Sequence, residues 1–212
     1  MNISILTSSK EHPVNAFLDR WSKKNNHHQI NIAHSKEELI SGDILFLISC
    51  STVVSKLLRE KFKKTLVIHA SDLPHGKGWS PHIWEIINGA TDIILSLFEA
   101  EDEVDTGDIW KKISLNIPKT ILYEEINELI FSAEIELIDF AIENYGTIEP
   151  KKQPIIDSTF WSKRSPEDSL IDINKTISEQ FDLIRVCDPK RFPAYFYKDG
   201  VRFKIIIEKN NE

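Results

Sequence analysis

Two residues, 36 positions apart, carry most of the chemistry this sequence can offer. His69 closes the apolar run Leu66–Ile68, and Asp105 sits in the turn Val104-Asp105-Thr106-Gly107-Asp108. An imidazole titrates near neutral pH, so it can take a proton from a nucleophile and return it later. A neighbouring carboxylate orients the ring and favours its charged form. A lone histidine at a strand end is more often a satisfied core or surface group, so the pair needs elements that bring it together. The other histidines carry less. His27-His28 falls in a polar loop, His12 and His34 lack a partner at a telling spacing, and His75 and His82 flank the loop after His69, where a ligand contact is open but a solvated side chain is the readier reading. Paired histidines suggest a metal, but no cysteine or carboxylate framework accompanies them, and no metal is expected. Gly76-Lys77-Gly78 fits neither GxGxxG nor GxxxxGKS/T, and no GxSxG is present.

The elements that must position the pair follow from hydrophobic periodicity. Asn2–Leu6, Gln29–Ile32, Asp43–Ile48 and Thr65–Ile68 are of strand length, and the third is apolar on both faces like a central parallel strand. Helical spacing joins them, through Val14, Phe17, Leu18 and Trp21, a turn at 36–40, and then 53–62. Ser80-Pro81 predicts a serine-capped helix over His82–Asn88, ending at Gly89. Asp92–Glu99 and Ile109–Ile117 read as strands, and Ile121–Asn144 as a long amphipathic helix. Alternation of this kind means an α/β fold with a doubly wound, mostly parallel sheet. Ligands then bind beyond the carboxyl ends of the strands, which places His69 and the Asp105 turn on neighbouring loops of one edge. The tail differs: 151–166 is extended and polar, Asp172–Cys187 returns to a helical period, and Ala194–Tyr197 with Val201–Ile207 read as a β-hairpin. The expected organisation is a domain over 1–150 and a helix-plus-hairpin extension over 151–212.

Bulk properties exclude some functions. The 212 residues suffice for one sizeable core, and a net charge of -7 argues against a nucleic-acid partner. MNISIL lacks the basic flank of a signal peptide and no apolar stretch is long enough for a bilayer, so the chain reads as cytoplasmic with no membrane partner. Cys50 and Cys187 lie in apolar stretches and are expected as buried thiols.

The two motifs together resemble the signature of the formyltetrahydrofolate-dependent formyltransferases, a Rossmann-like family. Its pattern is Asn-x-His-x-Ser-x-Leu-Pro, a glycine-containing loop, then a strand leading to Leu-Asp-Thr-Gly-Asp. His69, Ser71, Leu73, Pro74, Gly78 and Pro81 match the first part, and Asp105, Thr106, Gly107 and Asp108 the second. The family's asparagine corresponds to Val67. Ser71, Asp72, Asn88 or a backbone N–H are candidates for the donor it would supply. In the tail, Arg164, Pro166, Asp168, Asp172, Ile184-Arg185 and the aromatic run of 194–197 resemble the nucleotide-sugar N-formyltransferase branch. Methionyl-tRNA formyltransferases share the core but carry a further, usually basic, C-terminal domain, for which this chain is too short and too acidic. SDLPHGKGWSP is most similar to the enzymes acting on UDP-linked 4-amino-4,6-dideoxy sugars.

The resemblance implies transfer of a formyl group from 10-formyltetrahydrofolate to the amine of a nucleotide-linked amino sugar, for surface glycan biosynthesis, in an enzyme that is often a homodimer. His69 is then the base and Asp105 its orienting carboxylate. The folate is expected against Val67, Ala100, Glu101, Val104 and Asp105. Ser71, Lys77, Trp79, Arg164 and Arg185 are the candidate sugar-nucleotide contacts, with Arg191 a further candidate for the diphosphate. A loop lysine is as readily a solvated charge, and a helix arginine a surface group. A formyltetrahydrofolate hydrolase and a non-catalytic folate- or nucleotide-sugar-binding relative are the alternatives.

Overall fold

The computed structural model describes residues 1–210. In chain order the elements are β1 (Asn2–Leu6), α1 (Val14–Lys24), β2 (Gln29–Ala33), β3 (Gly42–Ile48), α2 (Lys56–Arg59), β4 (Phe62–His69), β5 (Lys77–Gly78) and α3 (Pro81–Ile87). There follow β6 (Asp92–Glu99), β7 (Ile109–Asn116), α4 (Tyr123–Glu143), β8 (Phe160–Trp161), α5 (Phe181–Arg185), β9 (Tyr195–Lys198) and β10 (Val201–Lys204). The main sheet has the order β2-β1-β3-β4-β6-β7. Its first four strands are parallel, but β6 runs antiparallel to β4 and β7 antiparallel to β6.

The chain enters β6 from the edge where β4 ended, so that His69 pairs with Ser96 near the middle of β6.

One face of the sheet carries the larger core, where Ile3, Ile5, Phe46, Leu66 and Leu95 meet Val14 and Leu18 of α1 and Ile130 and Leu137 of α4. The other face is thinly covered. Leu6, Leu45, Leu47, Val54 and Phe62 form a small cluster there. The helix predicted over 53–62 contracts to four residues, leaving Val53 and Leu57 exposed, because β4 starts at Phe62 and pairs it with Gly42.

The tail also departs from its periodicity. The helical stretch predicted over 172–187 condenses to a 3-10 turn at Ser178–Gln180 and α5. Asp172 instead accepts from the Asn174 N–H, and the Gln180 amide closes on the Asp172 backbone, local bonding that competes with a helix. The hairpin forms as expected, with Asp199 at φ 52° and Gly200 at φ 78° making the left-handed turn that suits it. Among the described residues no helix is long and apolar enough to cross a membrane.

Candidate active site

His69 is the last residue of β4, and its ring Nε2 lies 3.0 Å from the carbonyl oxygen of Gly76. A carbonyl only accepts, so Nε2 carries the proton and Nδ1 of the neutral ring keeps its lone pair. The Asp105 carboxylate Oδ2 stands 3.8 Å from Nε2, outside hydrogen-bond range but close enough to stabilise an imidazolium. Both side chains are largely buried, at 12% and 8% exposure.

The route that brings them together differs from the one expected. Because β6 is antiparallel, Glu99 lies opposite Leu66, and the loop after it starts three residues short of His69. That loop turns back to return Asp105 to the histidine, and its sequence explains how. Asp105 takes a left-handed backbone at φ 60°, and its Oδ2 accepts the Gly78 N–H at 3.0 Å. Thr106 Oγ1 donates to the Glu103 carbonyl at 2.8 Å. Gly107 packs so closely that a Cβ would sit 1.7 Å from the Glu99 carbonyl oxygen. The Gln153 amide then donates to the carbonyls of both Asp105 and Gly107, at 3.1 and 2.9 Å. Gln153→Ala is expected to lower turnover about tenfold while leaving the denaturation midpoint nearly unchanged, since it frees a loop and not the core.

The loop after His69 is equally specified. The Ser71 N–H donates to the His69 carbonyl, and its own carbonyl accepts from Ser96 Oγ. Gly76 and Gly78 adopt φ 70° and 98°, and a Cβ on Gly78 would lie 2.4 Å from the Trp161 carbonyl. There β5 pairs with β8, while Thr159 receives the Gly76 and Lys77 N–H groups. Ser80, expected as a side-chain cap, is left-handed at φ 45° and makes no cap bond, and Pro81 starts α3.

A cavity of about 690 Å³ opens across the carboxyl ends of β3 and β4. Successive residues of β4 point to opposite faces, and Val67, Ile68, His69 and Ala70 all line it, so it draws on both sides of the sheet. On the thinly covered side its wall is apolar: Leu47, Val67, Phe98, Ala100 and Val104, with Cys50 half-buried and not buried as expected. On the other side the wall comes from α4, the start of α3 and the segment before α1, with Asn127, Ile130, Phe131 and Glu134 joined by His12 and His82. Lys163, Arg164 and Arg191 add cationic groups to the lining.

Of the residues singled out from the sequence, His69, Asp105, Val67, Ala100, Glu101, Val104, Trp79 and Arg164 line this cavity. Five are placed elsewhere, among them the candidate donors Asp72, which bonds Lys112, and Asn88, at the end of α3. Ser71 is fully buried beneath the loop, and Lys77 sits in β5 outside the lining. Arg185 is 1% exposed, with Nε on Asp182 and Nη1 on the carbonyls of Pro118 and Ile121, where it ties the tail to the chain before α4.

The far wall was only partly legible in the sequence. His82, with a ligand contact as the lesser alternative to a solvated flank, and His12, read as unpartnered, both line the cavity. Burial, aided for His82 by His69, His12 and Arg164, and for His12 by Arg191, pushes each down to about 4, so both rings are neutral at pH 7. Burial alone pushes Glu134 up to about 8. The signal for it was present: an acid on the apolar stripe formed by Ile126, Ile130, Ala133, Leu137 and Ala141. Its ordinary value is 4.5, and a raised carboxyl binds more protons folded than unfolded. Its contribution is therefore complete below pH 4.5 and is lost as pH rises to about 8. Over that window the wild type should lose on the order of 2–4 kcal/mol relative to Glu134→Gln, measured by denaturation at stepped pH. Among the described residues no group of three His, Cys, Asp or Glu side chains is placed to hold a metal ion.

Solved structures share this fold. Methionyl-tRNA formyltransferase from Clostridium thermocellum superposes with a TM-score of 0.83 at 25% identity, covering 100% of this chain and 95% of that one. A 4-N formyltransferase from Francisella tularensis gives 0.73 at 16%, covering 100% and 98%. HypX from Aquifex aeolicus in complex with tetrahydrofolic acid gives 0.77 at 20%, covering 94% of this chain and 36% of that one. The present chain spans about half the length of the curated relatives it matches, which are named methionyl-tRNA formyltransferases. The family model described as formyl transferase matches residues 3–141, most of the described fold with both motif loops, and the chain belongs to that family.

Proposed function

We propose that this protein transfers a formyl group from 10-formyltetrahydrofolate to the amine of a nucleotide-linked amino sugar. The observation that carries the reading is the cavity's composition. It has an apolar side, a side with neutral polar groups, His69 lining it at the end of the strand they share, and cations from the tail. Two substrates meeting in one space is what group transfer requires. The apolar wall of Leu47, Val67, Phe98 and Ala100 fits a flat heteroaromatic ring, and these residues would hold the folate, which supplies the formyl group. Lys163, Arg164 and Arg191 suit a diphosphate. Arg164 uses Nη2 on the Asp168 carbonyl and Ser169, while its Nε is buried with no partner among the described residues.

In this reading His69 Nδ1 takes the proton from the attacking amine, which reacts only when neutral. Asp105 stabilises the imidazolium so formed, and the Gly76 carbonyl holds the ring orientation. Val67 offers no donor to the formyl oxygen. A cytoplasmic homodimer belongs to the same proposal, its dimerisation measured by light scattering as twice the chain mass.

The names of the curated relatives favour a second acceptor, methionyl-tRNA. The net charge of -7 weighs against a polyanion of that size. The deciding experiment follows tetrahydrofolate release from 10-formyltetrahydrofolate in the wild type and His69→Ala. The acceptors are UDP-, dTDP- and GDP-linked 3- and 4-amino sugars, methionyl-tRNA, and water alone. Release that needs an amino sugar and collapses in the variant is expected. Release with methionyl-tRNA only, or with water alone, would replace the sugar reading by the transfer-RNA or hydrolase one, and folate binding without release by a non-catalytic role.

A further inference from the structure

Glu134 does nothing for the fold that the structure reveals. It is the only acid among the buried residues of α4, at 5% exposure, on a face otherwise made of Ile126, Ile130, Ala133, Leu137 and Ala141. Its Oε2 is buried without a hydrogen-bond partner among the described residues, and the side chain lines the cavity. Ile83, Ile130, Phe131 and Val186 are among the apolar groups on that wall. A desolvated carboxyl with no partner destabilises the empty protein, and the same group becomes favourable when a ligand supplies the missing bond. A second orphan lies on the same wall: His82 Nδ1 is also buried without a partner among the described residues.

We propose that Glu134 selects the acceptor, its carboxyl bonding a hydroxyl or amine carried on the acceptor's ring. The inference rests on the two-substrate reading of the cavity, but not on which acceptor is used. The group recognised is an uncharged donor–acceptor such as a sugar hydroxyl. At neutral pH the acid is protonated and can both give and take a hydrogen bond, which matches a hydroxyl on both counts. A formyl donor held on the opposite, apolar wall would not touch it.

The test compares the full-length wild type with Glu134→Gln and Glu134→Leu in two measurements. The first is equilibrium denaturation without ligand at pH 7. The Leu variant is expected to unfold at a higher denaturant midpoint than the wild type, as removal of an uncompensated polar group requires. A lower midpoint would mean that Glu134 has a structural partner, and would overturn the proposal whatever the acceptor. The second measurement is steady-state kinetics with whichever of UDP-4-amino-4,6-dideoxy sugar and methionyl-tRNA the wild type uses. In Glu134→Leu the acceptor KM should rise about tenfold or more, with the folate KM within about twofold of wild type. Glu134→Gln, which keeps a donor and an acceptor, should stay within about threefold. An unchanged acceptor KM in the Leu variant, or equal rises in both KM values, would sink the idea. Activity with methionyl-tRNA alone would end the sugar reading while leaving this comparison decisive for Glu134.

Discussion

Under the proposed roles, His69→Gln is expected to lower kcat for formyl transfer by about 10²- to 10⁴-fold, the usual worth of a general base, with little change in folate affinity. The glutamine Nε2 can still donate to the Gly76 carbonyl, so the loop should keep its shape. Asp105→Asn should cost much less, about 10- to 100-fold. In a triad the carboxylate both fixes the tautomer and bonds the ring, and losing it is severe. In the proposed roles the Gly76 carbonyl fixes the tautomer, and Asp105, 3.8 Å from Nε2, would act by charge alone. The variant amide can still accept the Gly78 N–H through its side-chain oxygen. Single-turnover rates of tetrahydrofolate release, with far-UV circular dichroism as a check on folding, decide the order. Equal losses in the two variants would show that Asp105 does more than stabilise charge.

The largest effect on stability is expected at Gly107. A methyl there would overlap the Glu99 carbonyl oxygen at 1.7 Å, a contact with backbone that no side-chain rotation relieves. The base of the β6–β7 hairpin must open, and Gly107→Ala should lose about 3 kcal/mol or more, read from the urea midpoint. Gly89→Ala is the control. Nothing lies within 4 Å of its would-be Cβ, and only the left-handed φ of 90° opposes the change. That penalty is about 1–2 kcal/mol. A Gly107 variant no worse than the Gly89 variant would mean the loop has room to shift, and would loosen the placement of Asp105.

Much of this arrangement was legible because the strands are apolar runs with sharp edges. β1 and β3 need no tertiary information beyond length and hydrophobicity, and the hairpin is announced by Asp199-Gly200. The antiparallel direction of β6 was not legible, because the 22 residues between β4 and β6 are enough for either a parallel or an antiparallel return. Other features depended on partners distant in sequence. The helix over 53–62 lost its end to a pairing with β3, and Asp172 chose a local turn over a helical bond. Arg185 looked like a surface cation because nothing in its own segment reveals the carbonyls at 118 and 121 that receive it. Glu134 was passed over because a helical stripe was counted by its apolar members, when the odd residue on it was the informative one.

The stretch from 151 to 161 reaches both motif loops. Lys151 bridges to Ile109, Gln153 clamps the carbonyls of Asp105 and Gly107, and Thr159 to Trp161 bind the backbone of the Gly76–Trp79 loop. All of it lies beyond the segment by which the family is recognised. The next few residues bring Lys163 and Arg164 to the cavity. One continuous strap thus braces the loops of His69 and Asp105 and then supplies charges to the space beside them. Inheritance of such a strap is indivisible. A lineage that exchanged its tail to reach a new acceptor would reset the bracing of His69 and Asp105 in the same event, so changes of acceptor in this fold should arise by point substitution within a retained strap more readily than by recombination at the domain border.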